Sequence, residues 1–213
     1  MQYALEILPS LLKGASLTLQ VFAVVLILSI PLGIVVAFLL QLRSKILHGL
    51  LTIYIWIMRG TPLLLQLIFI YYVLPSIGIR IDRLPAAIIA FTLNYAAYFA
   101  EIFRGGIVAI PNGQYEAAKV LKLSSWQTIQ YIILPQVVKI VLPSVFNEVM
   151  SLVKDTSLVY ALGISDLILA SRTAANRDAS LAPMFLAGAI YLILIGIVTV
   201  IAKRVEKKFS YYK

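Results

Sequence analysis

The chain has 213 residues, of which 62% are hydrophobic and 13% charged, with a formal net charge of +9. Repeated apolar runs of about 20 residues, each enough to cross about 30 Å of hydrocarbon, predict an all-α membrane protein and exclude a soluble globular domain. Cysteine is absent and His48 is the only histidine, so disulfides, thiolate metal sites and histidine clusters are excluded; the basic residues flank apolar segments, which makes the charge a topology signal rather than a nucleic-acid footprint.

In chain order, residues 1–13 read as a short amphipathic lead. Five transmembrane helices are then expected, the first over about 16–42 and ending at Arg43, Lys45 and His48. The second, about 49–74, is interrupted at Arg59-Gly60-Thr61-Pro62, where proline removes a backbone donor and glycine loosens the turn. A polar loop, IGIRIDRLP, leads to the third helix, about 85–110. A polar-topped amphipathic insert occupies about 112–125. The fourth helix, about 126–153, contains Pro135 and Pro143, which bend or divide it. Residues 154–181 read as a short helix plus loop, and the fifth helix covers about 182–202. The first apolar run is long and no small-residue cleavage site follows it, so it reads as a span rather than a removable signal. No internal repeat or linker is evident, which leaves one domain over 1–213.

Lysine and arginine placement orients the chain. With the N-terminus outside and the C-terminus in the cytoplasm, the inside receives Arg43, Lys45, Arg59, Arg104, Lys119, Lys122, Lys139, Lys203, Arg204, Lys207, Lys208 and Lys213. The outside receives Lys13, Arg80, Arg83, Lys154, Arg172 and Arg177. Twelve against six satisfies the positive-inside rule and puts the 112–125 insert in the cytoplasm.

That insert opens the string EAAKVLKLSSWQTIQYIILP, residues 116–135. Ala117 and Ala118 let a partner's backbone approach closely, and Glu116 near the helix start complements the positive end of the macrodipole. The string resembles the EAA loop of ABC-importer permeases: Glu-Ala-Ala, three residues, a glycine, nine residues, then Ile-x-Leu-Pro. Glu116, Ala117, Ala118, Ile132, Leu134 and Pro135 match, whereas Lys122 stands where that pattern has glycine. Glycine suits a left-handed helix cap. A left-handed lysine costs on the order of 1 kcal/mol, so the helix either runs on or Lys122 gains a contact on a partner. The segments RGTPLLLQL (59–67), AAYFAEIFRGGIVAIPNGQYEAA (96–118) and SLVKDTSLVYALGISDL (151–167) resemble the polar amino acid uptake branch of the same permeases.

The resemblance implies a type I, MetI-like importer fold with a five-helix core in a bacterial inner membrane. It implies a second permease subunit, identical or paralogous, two ATPase subunits that carry ATP and Mg, and an extracellular or periplasmic amino acid-binding protein. Glu116, Ala117, Ala118 and Lys122 would then couple the chain to the ATPase. No G-x-x-x-x-G-K-[ST] string is present, so the chain is not expected to bind ATP in that way or to be an enzyme.

Polar groups inside spans mark candidate pathways because they are costly there. Asn94, Tyr98 and Glu101 share one face of the third helix, and Arg104 follows Glu101 at pairing distance, a structural ion pair. Asn147, Ser151 and Lys154 make one stripe on the fourth helix, and Glu148, Ser151 and Asp155 an overlapping one. Thr61 and Gln66 flank the break in the second. The 147–155 stretch carries both signs, as a zwitterionic amino acid requires, and stands as pathway or outer gate; the competing reading makes Lys154 and Asp155 end-of-helix charges. Two other functions stay open: an ion-coupled secondary transporter that uses Glu101 or Glu148 as a relay, and a membrane scaffold that moves no solute. The absence of an inverted repeat counts against the first.

Overall fold

The computed structural model of the chain describes residues 2–209, and every element among them is helical. Helix α1 spans Gln2–Leu39, α2 Lys45–Gly60 and α3 Leu63–Ile68, the last continuing through a π turn (Phe69–Val73) and a 3-10 turn (Leu74–Ile77). Then follow α4 Arg83–Val108, α5 Asn112–Val120 and α6 Ser125–Thr128. A second π turn (Ile129–Ile133) joins α6 to α7 Leu134–Asp155, and a 3-10 turn (Thr156–Leu162) precedes α8 Leu167–Asp178 and α9 Ala182–Lys208. Four helices are long and apolar enough to cross a membrane, or five if the bent pair Lys45–Gly60 and Leu63–Ile77 counts as one span.

The core is built around α4. Ala86, Ala87, Ala90, Ala96, Ala97 and Ala100 are buried along it, and these short side chains let neighbouring helices lie close. Helix α1 makes the most extensive contact with α4. Gly33 allows it: a Cβ there would lie 2.6 Å from the Phe99 Cβ and 3.1 Å from the Ala100 nitrogen. On the other side, Gly106 of α4 admits Val141 of α7, whose Cγ1 would sit 2.3 Å from an added Cβ.

The separate amphipathic lead is corrected. The chain is helical from Gln2 without a break, through Pro9 and Pro31. Ile7, Leu11 and Ala15 are buried with Leu167 and Ala187, so the first turns are held by packing on α8 and α9 that no local pattern announces. The other expected boundaries shift by a few residues, most at the end of α9, which runs on to Lys208. Lys213 of the basic count lies outside the described residues.

The second expected helix breaks at the expected place. Its two halves meet at 107°. Thr61 and Pro62 are extended, and Pro62 has no N–H to continue the ladder. Both π turns lie directly upstream of a proline, Pro75 and Pro135, where the ladder must also be rerouted.

Candidate functional site

A broken helix inside a membrane leaves carbonyls that water cannot satisfy, so side chains must. Thr61 donates its hydroxyl to the Ile57 carbonyl at 2.8 Å. Gln66 Nε2 donates to the Met58 carbonyl at 2.9 Å, and to the Thr61 carbonyl and hydroxyl at 3.2 and 2.8 Å. Asn94 Nδ2, from α4, donates to the Met58 carbonyl at 2.8 Å and to Gln66 Oε1 at 3.0 Å. These bonds pin the bend against the middle of α4.

Beside the bend lies a polar cleft of about 530 Å³ between α3, α4 and α7, within the size range of small-molecule sites. Thr61, Asn94, Tyr98, Glu148, Ser151, Lys154 and Asp155 line it, with Pro62, Leu63, Leu64, Tyr95 and Leu158. Seven residues singled out on three helices thus converge on one space. Two others do not: Gln66 is spent on the break, and Asn147 is exposed on α7 away from the cleft. A stripe three residues wide on one helix cannot present every member to one neighbour, which is why Asn147 falls outside.

Tyr95 donates its hydroxyl to Asp155 Oδ2 at 2.7 Å and fixes α4 against the end of α7. Glu101 accepts two hydrogen bonds from Arg104, 3.0 Å from Nε and 2.7 Å from Nη2. Arg59, counted among the inside charges, lies at the bend: its guanidinium is 5.1 Å from the Tyr98 ring centroid and 3.9 Å from Glu101 Oε2. Tyr95 was missed as a cleft residue, and Arg59 as a neighbour of Tyr98 and Glu101. Tyr95 carried a usable signal, a hydroxyl one turn from Tyr98; Arg59 carried none, because only the 107° bend brings it to α4.

The second candidate is the 112–125 segment. Helix α5 starts after Pro111 and ends at Val120; Glu116 and Ala117 are exposed and Ala118 is buried. Beyond Leu121, Lys122 adopts φ 55°, in the left-handed region. The Lys122 amide donates to the Lys119 carbonyl at 2.9 Å and the Leu123 amide to the Ala118 carbonyl at 3.0 Å. This pair of bonds is the Schellman cap. The helix therefore does not run on: lysine holds the geometry that glycine adopts without strain. The following helix is capped by a reciprocal Ser124–Gln127 pair.

At the opposite end of α1, Tyr3 donates to Asp178 Oδ2 at 2.7 Å, and Arg177 contacts both oxygens of the same carboxylate at 2.7 and 2.8 Å. Arg177, then Tyr3, hold the Asp178 carboxyl down to about 2, below its ordinary 3.8. Asp166 caps α8 by accepting from the Leu169 amide at 2.9 Å; its burial pushes its carboxyl above the ordinary value. Among the described residues no group of three or more His, Cys, Asp or Glu side chains is placed to hold a metal ion.

The family model described as "Binding-protein-dependent transport system inner membrane component" matches residues 29–211. The arginine transport system permease protein ArtQ of Bacillus subtilis (strain 168) is 37% identical over 95% of this chain and 94% of its own. The crystal structure of an amino acid ABC transporter with histidines superposes with TM-score 0.90 at 28% identity, covering 97% of both chains. An inward-facing MetNI methionine ABC transporter shares the fold at TM-score 0.75 and 18% identity, over 99% of both chains. The chain belongs to the binding-protein-dependent transport system inner membrane components, as a multi-pass permease subunit of the amino acid ABC importer branch.

Proposed function

We propose that this chain forms half of the membrane pathway of an ATP-driven importer and that the cleft between α3, α4 and α7 takes the amino acid. The observation that carries the proposal is the convergence of Thr61, Asn94, Tyr98, Glu148, Ser151, Lys154 and Asp155 on one cleft beside a broken helix. Discontinuous helices with charged and polar groups at mid-membrane are how transporters hold polar solutes. A second permease subunit, identical or paralogous, completes the pathway. Two ATPase subunits carry the ATP and Mg, and the chain itself hydrolyses nothing.

The N-terminus lies outside. A solute-binding protein docks on the outer face near residues 76–84 and 154–181. The exposed face of α5, with Glu116 and Ala117, seats on the ATPase, and the capped turn at Lys122 passes its movement to α7. Nucleotide-dependent contacts there shift the population between outward- and inward-open states.

The test is ATPase activity of the co-purified complex in lipid, with and without binding protein, across a panel of amino acids. Arginine comes first on that panel because of the Bacillus relative. Stimulation by one loaded binding protein is expected. A chain that brings down no ATPase, with uptake driven by an ion gradient alone, would refute the proposal.

A further inference from the structure

Away from the polar cleft, an apolar groove of about 380 Å³ opens between α1, α4 and α7. Gly33 seats α1 on Phe99, and Gly106 seats Val137 and Val141 of α7 on α4, while α1 and α7 touch each other little. The gap between them is floored by Phe103 and Ile107 of α4 and walled by Ile34 and Phe38 of α1 and Val138 of α7. All three helices belong to segments long and apolar enough to cross a membrane, so the groove opens at membrane depth.

None of the lining residues is charged, and Gln41 and Tyr115 are the only polar ones among them. Both stand at one end, where α1 finishes and α5 lies. Trp126 and Tyr131 are exposed beside that end, as aromatic side chains are at a membrane–water interface. From Ile129, at that level, to Val141 the groove follows about 18 Å of helix, and from Gln41 to Ile34 about 10 Å. One leaflet of hydrocarbon is about 15 Å deep, so the groove spans a leaflet. A volume of about 380 Å³ drawn out over about 15 Å leaves a cross-section of about 25 Å². That is too narrow for a helix, which is about 10 Å wide, but it admits a single hydrocarbon chain.

Beyond Gln41 the charge is positive. Arg43 and Lys45 are exposed at the turn into α2, and among the described residues neither makes an ion pair. His48 Nδ1 lies 3.3 Å from the Leu40 carbonyl oxygen, which holds the start of α2 against the end of α1. Glu116 follows Tyr115 on α5, but Lys119 stands three residues on and offsets it. From mid-membrane to water the surface therefore runs apolar, then neutral and polar, then cationic.

We infer that this groove binds an anionic phospholipid. One acyl chain lies against Phe38, Phe103 and Val138, the ester oxygens reach Gln41 and Tyr115, and the phosphate meets Arg43 and Lys45. Basic pockets between spans on the cytoplasmic side hold anionic head groups in this way. The head group then borders α5, so the surface helix rests on lipid as well as on protein. The inference holds whether or not the polar cleft carries the amino acid.

The test is photolabelling of the complete permease–ATPase complex in phosphatidylcholine discs. The probes are phosphatidylglycerol and phosphatidylcholine, each with a diazirine on one acyl chain, and labelled peptides are mapped by mass spectrometry. Both probes are expected to label peptides holding Phe38 and Val138 above the peptide holding Val24, Ile27 and Leu28, which are exposed on α1 far from the basic end. Phosphatidylglycerol is expected to label the groove more strongly, by about 5-fold for each of Arg43 and Lys45. The double variant Arg43→Gln, Lys45→Gln is expected to lose that preference and keep the labelling. Val138→Trp fills the groove and is expected to remove labelling by both probes. If Val138→Trp does not fold, as read by thermal unfolding, the Arg43 and Lys45 result decides. Equal labelling of the wild-type groove by the two probes overturns the inference, as does labelling no stronger than at Val24, Ile27 and Leu28. Groove peptides shielded from both probes overturn it in favour of a protein occupant.

Discussion

Replacing Lys122 by glycine tests whether the α5 cap is strained. Lys122 holds φ 55° with two cap bonds of 2.9 and 3.0 Å behind it. A non-glycine residue in that region costs about 1–2 kcal/mol, and glycine returns about 0.5–1 of this through its freer unfolded chain. Lys122→Gly therefore stabilises the cap by about 0.5–1 kcal/mol, which slows local opening about 2- to 5-fold. Hydrogen exchange of peptides covering residues 118–123, corrected for intrinsic rates, reads that opening directly. Lys122→Ala removes the charge but keeps the Cβ, so it separates strain from electrostatics and should exchange like the wild type. Lys122→Val, branched at Cβ, should exchange faster. Equal exchange in the glycine and alanine variants would refute the strain argument.

Gly33→Ala forces a Cβ against Phe99 at 2.6 Å and should cost about 1–3 kcal/mol, lowering the unfolding temperature; Gly196→Ala, with nothing within 4 Å, is the control that should not. Tyr95→Phe deletes the 2.7 Å bond to Asp155; a bond to a charged group is worth about 1.5–3 kcal/mol, so the substrate concentration for half-maximal uptake should rise tenfold or more, and an unchanged value would remove Asp155 from the cleft's working geometry. Ala117→Phe places a ring on the exposed face of α5 and should leave ATP hydrolysis running while uptake falls at least tenfold; normal uptake would end the coupling role of this helix. The depressed Asp178 carboxyl contributes stability that is present above about 4 and is lost as pH falls toward about 2; Asp178→Asn should flatten that limb of the stability–pH curve, and an unchanged limb would mean that the contact with Tyr3 and Arg177 does not persist in the membrane.

The spans, the break at Gly60-Thr61-Pro62, the disturbance at Pro135 and the surface helix were legible from sequence. Each depends on short-range physics: the length of an apolar run, or a missing N–H whose effect is felt within one turn. The polar residues Thr61, Asn94, Tyr98, Glu148, Ser151, Lys154 and Asp155 were legible too, because a polar side chain inside an apolar run needs a reason to be there. Their partners were not. Gln66 looked like a pathway residue, but it closes the carbonyls of a helix whose bend had to exist first. Arg59 counted only as one more inside charge, and its place over Tyr98 depends on the 107° turn. The first turns of α1 read as a loose lead until α8 and α9 packed on Ile7 and Leu11. Local chemistry thus determined where the chain is helical and which residues are anomalous. Which anomalies satisfy one another was decided by contacts between residues far apart in sequence, such as Tyr95 with Asp155, because a charge in a low-dielectric interior is settled by whatever group the fold brings within a few ångströms.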